Sequence, residues 1–211
     1  VSFRASPTGT AGQVLIRVSG HGLNHIAEMT LVGTQPNPII TEINADMSGT
    51  EDQEFIELFN PGQFPITLDG LQIQFINGSN STVYKEVELA QLIVLEWQPE
   101  SFIVVGDENV RDLIPNHVVF LPWQSAGGEH DIQNGDPDGF ILKRDNEILD
   151  SVSYGGTIEL VTEGSAGAPD DPDGALQTIS RCPTATDTND NSRDFLLSSP
   201  TPGQHNACEF D

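Results

Sequence analysis

Glu54-Phe-Ile-Glu-Leu-Phe-Asn-Pro-Gly-Gln-Phe-Pro-Ile-Thr-Leu-Asp-Gly-Leu-Gln-Ile-Gln-Phe75 contains two strand-like runs, separated by an Asn60-Pro61-Gly62 turn and a second turn at Asp69-Gly70. In Leu71 to Phe75 apolar residues alternate with glutamines, the period-two pattern of a strand with one wet face. Phe55 to Phe59 differs. Ile56 and Leu58 point one way and Phe55 and Phe59 the other, as expected of a central strand covered on both sides.

The same pattern recurs along the chain. Val83, Val87 and Leu89 alternate with Tyr84, Glu86 and Glu88, and further strands are expected at Phe102 to Val105, His117 to Leu121, Phe140 to Lys143 and Ile148 to Tyr154. Turns at Asn77-Gly78, Asp138-Gly139 and Gly155-Gly156 punctuate them, and no long segment has a helical period. Short strands with such turns predict an all-β, immunoglobulin-like β-sandwich. Thr157 to Asp173, rich in Gly, Ala, Pro and Asp, reads as a long loop.

Residues 1–36 read as a separate strand-bearing segment, with Val14, Ile16 and Val18 alternating, a turn at Gly20-His-Gly-Leu23 and a short strand starting at Met29. The pattern Gly12-x-Val-Leu-Ile-x-Val-Ser-Gly-x-Gly-Leu23 resembles the opening strands of immunoglobulin-like repeats in transcription factors and bacterial surface proteins. The segment is either a remnant of a preceding repeat or a set of strands added to the main domain, which runs over 37–211.

Composition bounds the function. Eight Lys plus Arg against 32 Asp plus Glu give a net charge of −24 in 211 residues. Charged residues are 19% of the chain, below the ~25% of average globular proteins, so the imbalance comes mainly from missing cations. Such a field repels phosphate backbones and argues against a nucleic-acid partner. It favours cations, calcium first, or basic protein patches, or serves solubility alone. Cys182 and Cys208 fit no metal-ligand spacing. They read as a disulfide in an oxidising compartment, with two buried thiols as the other reading. No apolar run approaches the ~20 residues of a membrane helix, so no membrane insertion is expected. The abrupt start at Val1-Ser-Phe-Arg4 reads as a mature or excised piece of a longer exported precursor.

From Ile39 onward the order of landmarks resembles a lamin tail domain of the bacterial exported type. The landmarks are Ile39-Ile-Thr-Glu-Ile43, Glu54 to Gly62, Leu68-Asp-Gly-Leu71, Phe102-Ile-Val-Val-Gly106, Ile132-Gln-Asn-Gly135 with Pro137-Asp-Gly139, and Ile148 to Gly155. The ending with Asp187-Thr-Asn-Asp-Asn191, Asp194-Phe195 and Pro200-Thr-Pro-Gly203 resembles the closing motif of that type. At Leu71 the family commonly has tryptophan. The resemblance implies an immunoglobulin-like fold and a binding or architectural role with no shared catalytic residues.

Three Asp-rich turns could chelate calcium, which wants six to eight oxygens. They are Asp136-Pro-Asp138, Asp170-Asp-Pro-Asp173 and Asp187 to Asn191, the last offering Asp187, Asn189, Asp190 and Asn191. The other reading is that Asp and Asn simply form turns. Glu54 and Glu57, three apart on a strand, face opposite ways and cannot flank one bond, so they read as solvated or hydrogen-bonded strand residues. His21 and His25 read as loop histidines without a third ligand, and His117, His130 and His205 stand apart from any motif-bearing nucleophile. Gly127-Gly128 has no phosphate-cradling pattern. Trp97 and Trp123 either line a carbohydrate or peptide groove or pack at loop corners. Asn77-Gly-Ser79 and Asn80-Ser-Thr82 are glycosylation acceptor patterns that matter only in a eukaryotic secretory pathway.

The expected function is a non-catalytic extracellular or cell-surface module that binds a protein or surface ligand. It requires no cofactor, with calcium as an optional stabilising ion. The alternative is an accessory domain of an exported nuclease or phosphatase whose catalytic domain lies outside this chain.

Overall fold

The computed structural model describes 12–20 and 23–31 as backbone, and 36–46, 52–94, 96–123, 132–133, 135–170 and 177–208 in full. The first two strands, β1 (Gly12–Gly20) and β2 (Leu23–Leu31), form an antiparallel hairpin, with Val14 opposite Met29 and Val18 opposite His25. The second strand therefore starts at Leu23, earlier than the expected Met29, and His25 belongs to a strand rather than a loop.

In chain order there follow β3 (Ile39–Asn44), β4 (Phe55–Phe59), β5 (Ile66–Thr67), β6 (Leu71–Asn77), β7 (Thr82–Glu88) and β8 (Glu96–Trp97). Then come β9 (Phe102–Gly106), β10 (Val119–Pro122), β11 (Asp138–Arg144), β12 (Glu147–Tyr154), β13 (Thr178–Arg181) and β14 (Phe195–Ser198). A six-stranded sheet has the order β10-β9-β4-β3-β13-β14 and a four-stranded sheet the order β12-β11-β6-β7, while β5 and β8 pair alone. All neighbours are antiparallel except β10 and β9.

The two sheets bury their facing sides. Ile40, Ile43, Ile56, Leu58, Ile103, Val105 and Ile179 meet Leu71, Ile73, Phe75, Phe140, Leu142 and Val152 in one core. The protein is thus an all-β sandwich, as the alternation predicts. On the far side of the six-stranded sheet, Phe55, Phe59, Phe102 and Val104 pack under Val110, Ile114 and Val118. This second cover explains why every residue of β4 is buried. The far side of the four-stranded sheet stays half wet, with Gln72 and Gln74 half-buried and Glu86 and Glu88 exposed. Among the described residues, Ile158 and Val161 cap it, packing on Ile76 and Ile141.

Residues 157–170 make a single isolated bridge, Tyr154 to Ala168, and otherwise run as the expected loop. Trp97 and Trp123 are buried, with their indole N–H groups donated to Ser101 O at 3.0 Å and Asp107 Oδ1 at 2.8 Å. That settles the two readings of the tryptophans for packing: a ring in the core has no face left for a ligand. Among the described residues no helix is long and apolar enough to cross a membrane.

Candidate functional site

Two buried polar centres hold the C-terminal segment against the sheets. The first arises from the register of β3 and β4, which sets Glu42 opposite Glu57. A bulge between Ile40 and Glu42 keeps Ile40 and Ile43 in the core and turns Thr41 and Glu42 together onto the far face. There Glu42 Oε1 accepts from Thr178 Oγ1 at 2.6 Å and from Thr201 N at 2.9 Å, and Glu42 Oε2 accepts from Thr201 Oγ1 at 3.3 Å. Glu57 Oε1 accepts from Thr41 Oγ1 at 2.7 Å and Glu57 Oε2 from Gly203 N at 2.5 Å. Gly203 has φ +77°, and a Cβ there would come within 2.9 Å of Pro115 and 3.0 Å of Val118, so only glycine brings this N–H to the carboxylate without strain.

Burial pushes the Glu42 carboxyl up to about 7, against the pull of its Thr178 and Thr201 hydrogen bonds. Burial and then the Glu42 charge push Glu57 well above the usual carboxylate range. Glu54, on the other face of β4, accepts from Ile132 N at 3.0 Å. Glu54 and Glu57 thus face apart, and both are buried and hydrogen-bonded rather than solvated.

The second centre is Arg181, the last residue of β13 and fully buried. Its Nε donates to Ile40 O at 2.8 Å, and Nη2 spans both oxygens of Asp150 at 3.1 and 3.0 Å. Nη1 reaches Asp187 Oδ1 and Asp194 Oδ2, each at 3.1 Å, and the guanidinium carbon lies 4.5 Å from the Phe195 ring centroid. Asp150 belongs to β12, so this group ties the two sheets together. Burial pushes Asp150 up to about 6 even against the Arg181 charge and the Ile40 N–H. Glu163 is pushed up to about 8, first by burial and then by the Asp150 and Asp187 charges.

The disulfide forms between Cys182 and Cys208, with Cα atoms 5.5 Å apart, and fastens the C-terminal segment beside Arg181. Asn206 completes the fastening, its Nδ2 donating to Thr41 O at 2.8 Å and Arg181 O at 2.9 Å.

The Asp187 to Asn191 run splits three ways instead of converging. Asp187 turns in to Arg181, and Asn189, at φ +55°, donates its N–H to Asp187 Oδ1 at 2.9 Å. Asp190 precedes the short helix α1 (Asn191–Asp194) and accepts from Ser192 Oγ at 2.7 Å. Asn191 is buried: its Oδ1 accepts from Ser153 N at 3.1 Å and Glu163 N at 3.0 Å, and its Nδ2 donates to Ser151 O at 2.9 Å. The side chains of Asp187, Asp190 and Asn191 thus each go to a different partner.

Asp138 is buried at the start of β11 and accepts from Gly78 N at 3.1 Å, with its carboxyl pushed by burial to about 6. Asp136 is also pushed to about 6, by burial and then by Asp170 and Asp46. Among the described residues, only Asp150, Glu163 and Asp187 bring three ligand atoms within 4.8 Å of one another. Asp171 and Asp173 lie outside the described residues, as do His21, His130, Gly127, Gly128 and the side chain of His25.

His117 is exposed, and the His205 ring lies 5.5 and 5.4 Å from the centroids of Phe59 and Phe102. Asn77 and Asn80 sit at the tip of the β6–β7 hairpin, where Asn77 Oδ1 accepts from Ser79 N at 2.9 Å and Asn80 Oδ1 from Thr82 N at 3.1 Å. Sequence reasoning passed over Arg181, Asp150, Glu163, Asp194 and Glu42. One signal was there: Arg181 is one of only eight Lys and Arg residues in the chain. Comparison with family models, curated proteins and solved structures gives no match for this chain.

Proposed function

We propose that the chain is a non-catalytic binding and architectural module of the immunoglobulin-like, lamin-tail type, exported and presented at a cell surface, where it engages a protein ligand. The observation that carries this reading is the use made of the buried ionisable groups. Glu42, Glu57, Asp150, Asp194 and Arg181 each hold one segment of the chain to another. Their hydrogen-bonding capacity is spent on rigidity, which suits a scaffold that presents loops. The lamin-tail assignment is supported by the way three of its landmarks meet, since Glu42 and Glu57 of the opening motifs accept from Thr201 and Gly203 of the closing one. The Cys182–Cys208 disulfide supports an oxidising, extracytoplasmic location.

The test is binding of the purified chain to intact cells and cell envelopes, before and after protease treatment of their surface. Saturable, salt-sensitive binding that protease abolishes is the expected result, because a −24 charge makes attraction to basic protein patches subject to screening. Absence of binding, or binding that survives proteolysis, would remove the protein ligand from this reading.

Calcium has a minor place in it. Both Asp150 oxygens already accept two N–H groups each, from Arg181 and from Ser151 or Ile40, so an ion at this group draws on Glu163 and Asp187 against the nearby guanidinium charge. Melting temperatures in millimolar calcium and in chelator are therefore expected to agree within about 2 °C, below the shift that tight native-state binding gives. A calcium-specific rise that magnesium does not reproduce would restore the ion to a structural role.

A further inference from the structure

Leu160 is held where neither folding nor solubility asks for leucine. Its side chain is 85% exposed, and its backbone sits at φ +68°, a region that favours Gly or Asn over any branched residue. The surrounding turn is tightly fixed. Val161 N and Thr162 N donate to Ile158 O at 3.1 and 3.0 Å, and Thr162 Oγ1 accepts from Ile158 N at 2.7 Å. Thr162 Oγ1 also lies 2.7 Å from Ser153 Oγ, which pins the turn to β12.

Ile158 and Val161, on either side of the tip, are buried against Ile76 and Ile141 and anchor the loop without help from Leu160. Scattered exposed leucines are ordinary, but an exposed leucine in a left-handed conformation on a rigid turn carries two penalties and, at 85% exposed, buries little in return among the described residues. Acid lies beside it: Glu159 is exposed next to the tip and the Asp190 carboxyl lies against Gly164, while Glu163 turns inward to Asn191.

We propose that the Ile158–Thr162 turn anchors an intermolecular contact in which Leu160 enters an apolar pocket on a partner protein whose pocket rim carries lysine or arginine. The inference rests on the binding-module reading and gives it an address. A second copy of the chain does not suit the site, since two surfaces of net charge −24 repel, and an anionic membrane is disfavoured for the same reason. A rigid apolar tip in an acidic rim is the geometry of an anchor residue with electrostatic selection around it.

The test compares wild type with Leu160→Asn, which suits the positive φ, and with Ile93→Asn, which removes an apolar side chain that is 99% exposed elsewhere on the surface. Amide chemical shifts are followed during titration with a synthetic lysine–leucine amphipathic peptide and with an all-lysine peptide of equal charge. The expected result is shifts concentrated at 158–164. The affinity should fall at least tenfold for Leu160→Asn and for the all-lysine peptide and stay unchanged for Ile93→Asn, while the Leu160→Asn melting temperature is equal to or above wild type.

Equal affinity of the two variants, equal affinity for the two peptides, no binding, or shifts centred elsewhere would overturn the proposal, as would Leu160-dependent binding to phosphatidylcholine vesicles. If it fails while protease-sensitive cell-surface binding persists, the module reading stands and only its address is wrong.

Discussion

Acidifying the protein from about pH 8 to about pH 5.5 will raise its melting temperature, by roughly 5–10 °C for a domain of this size. The cause is carboxyls that fold in the protonated state. Glu42 titrates near 7 in the fold against an ordinary 4.5, so over that interval the folded state holds a proton that the unfolded chain has released. Stability from such a group is fully present below about 4.5 and is lost as the pH rises through about 7.

Over the interval proposed, Glu42 accounts for about 2 kcal/mol and Asp150, near 6, for about 1 kcal/mol more. Glu57, raised well above its usual range, acts in the same direction. So does relief of the general negative charge, and the scan stops well short of the isoelectric point near 4.1 to avoid precipitation. The joint substitution of Glu42→Gln and Glu57→Gln removes both ionisable groups while keeping one acceptor oxygen at each position, and is expected to shrink the rise to the part that Asp150 and Glu163 contribute. A melting temperature that is constant, or that rises toward pH 8, would mean the two glutamates are ionised in the fold.

Arg181→Met will destabilise the domain by about 3–5 kcal/mol, the usual consequence of removing one partner from a buried ion pair. The fully buried Asp150 loses a bidentate partner at 3.0 and 3.1 Å, and Asp187 and Asp194 lose their shared donor. The link between β13 and β12 goes with it. Lysine does not substitute, because a single ammonium cannot bridge Ile40 O, Asp150 and Asp194 from one planar fork.

The deficit should shrink in acid, where Asp150 takes up a proton and no longer needs a counter-charge. Arg193→Met, at an exposed position on α1, is the control and should stay within about 0.5 kcal/mol of wild type. Chemical denaturation at two pH values reads both effects. An Arg181→Met protein as stable as the control would show that the cluster is dispensable.

Much of the scaffold was legible in the sequence. The alternation in Leu71 to Phe75 and the doubly apolar Phe55 to Phe59 give a wet-faced strand and a central one, as their burial patterns confirm. The loop expected from Thr157 is a loop over 157–170, and the cysteines pair. The polar centres were not legible. Asp187 to Asn191 looks like a chelating loop because spacing along the chain is all a sequence offers, whereas the side chains of Asp187, Asp190 and Asn191 each have a different partner in the fold. Glu57 reads from sequence as either solvated or hydrogen-bonded and Glu42 carries no signal of its own, and only the cover of Thr201 and Gly203 in the fold makes their face dry.

The sequence by itself determined strand, turn and sandwich, because period-two patterning and the φ preferences of Gly, Asn, Asp and Pro act over a few residues. The tertiary structure alone decided the chemistry of the carboxylates. Glu42 meets Thr201 across 159 positions, Arg181 meets Ile40 across 141, and Asp150 meets the Ile40 N–H across 110. Desolvation and hydrogen bonding set the charge state of a buried group, and both depend on which distant segment closes over it.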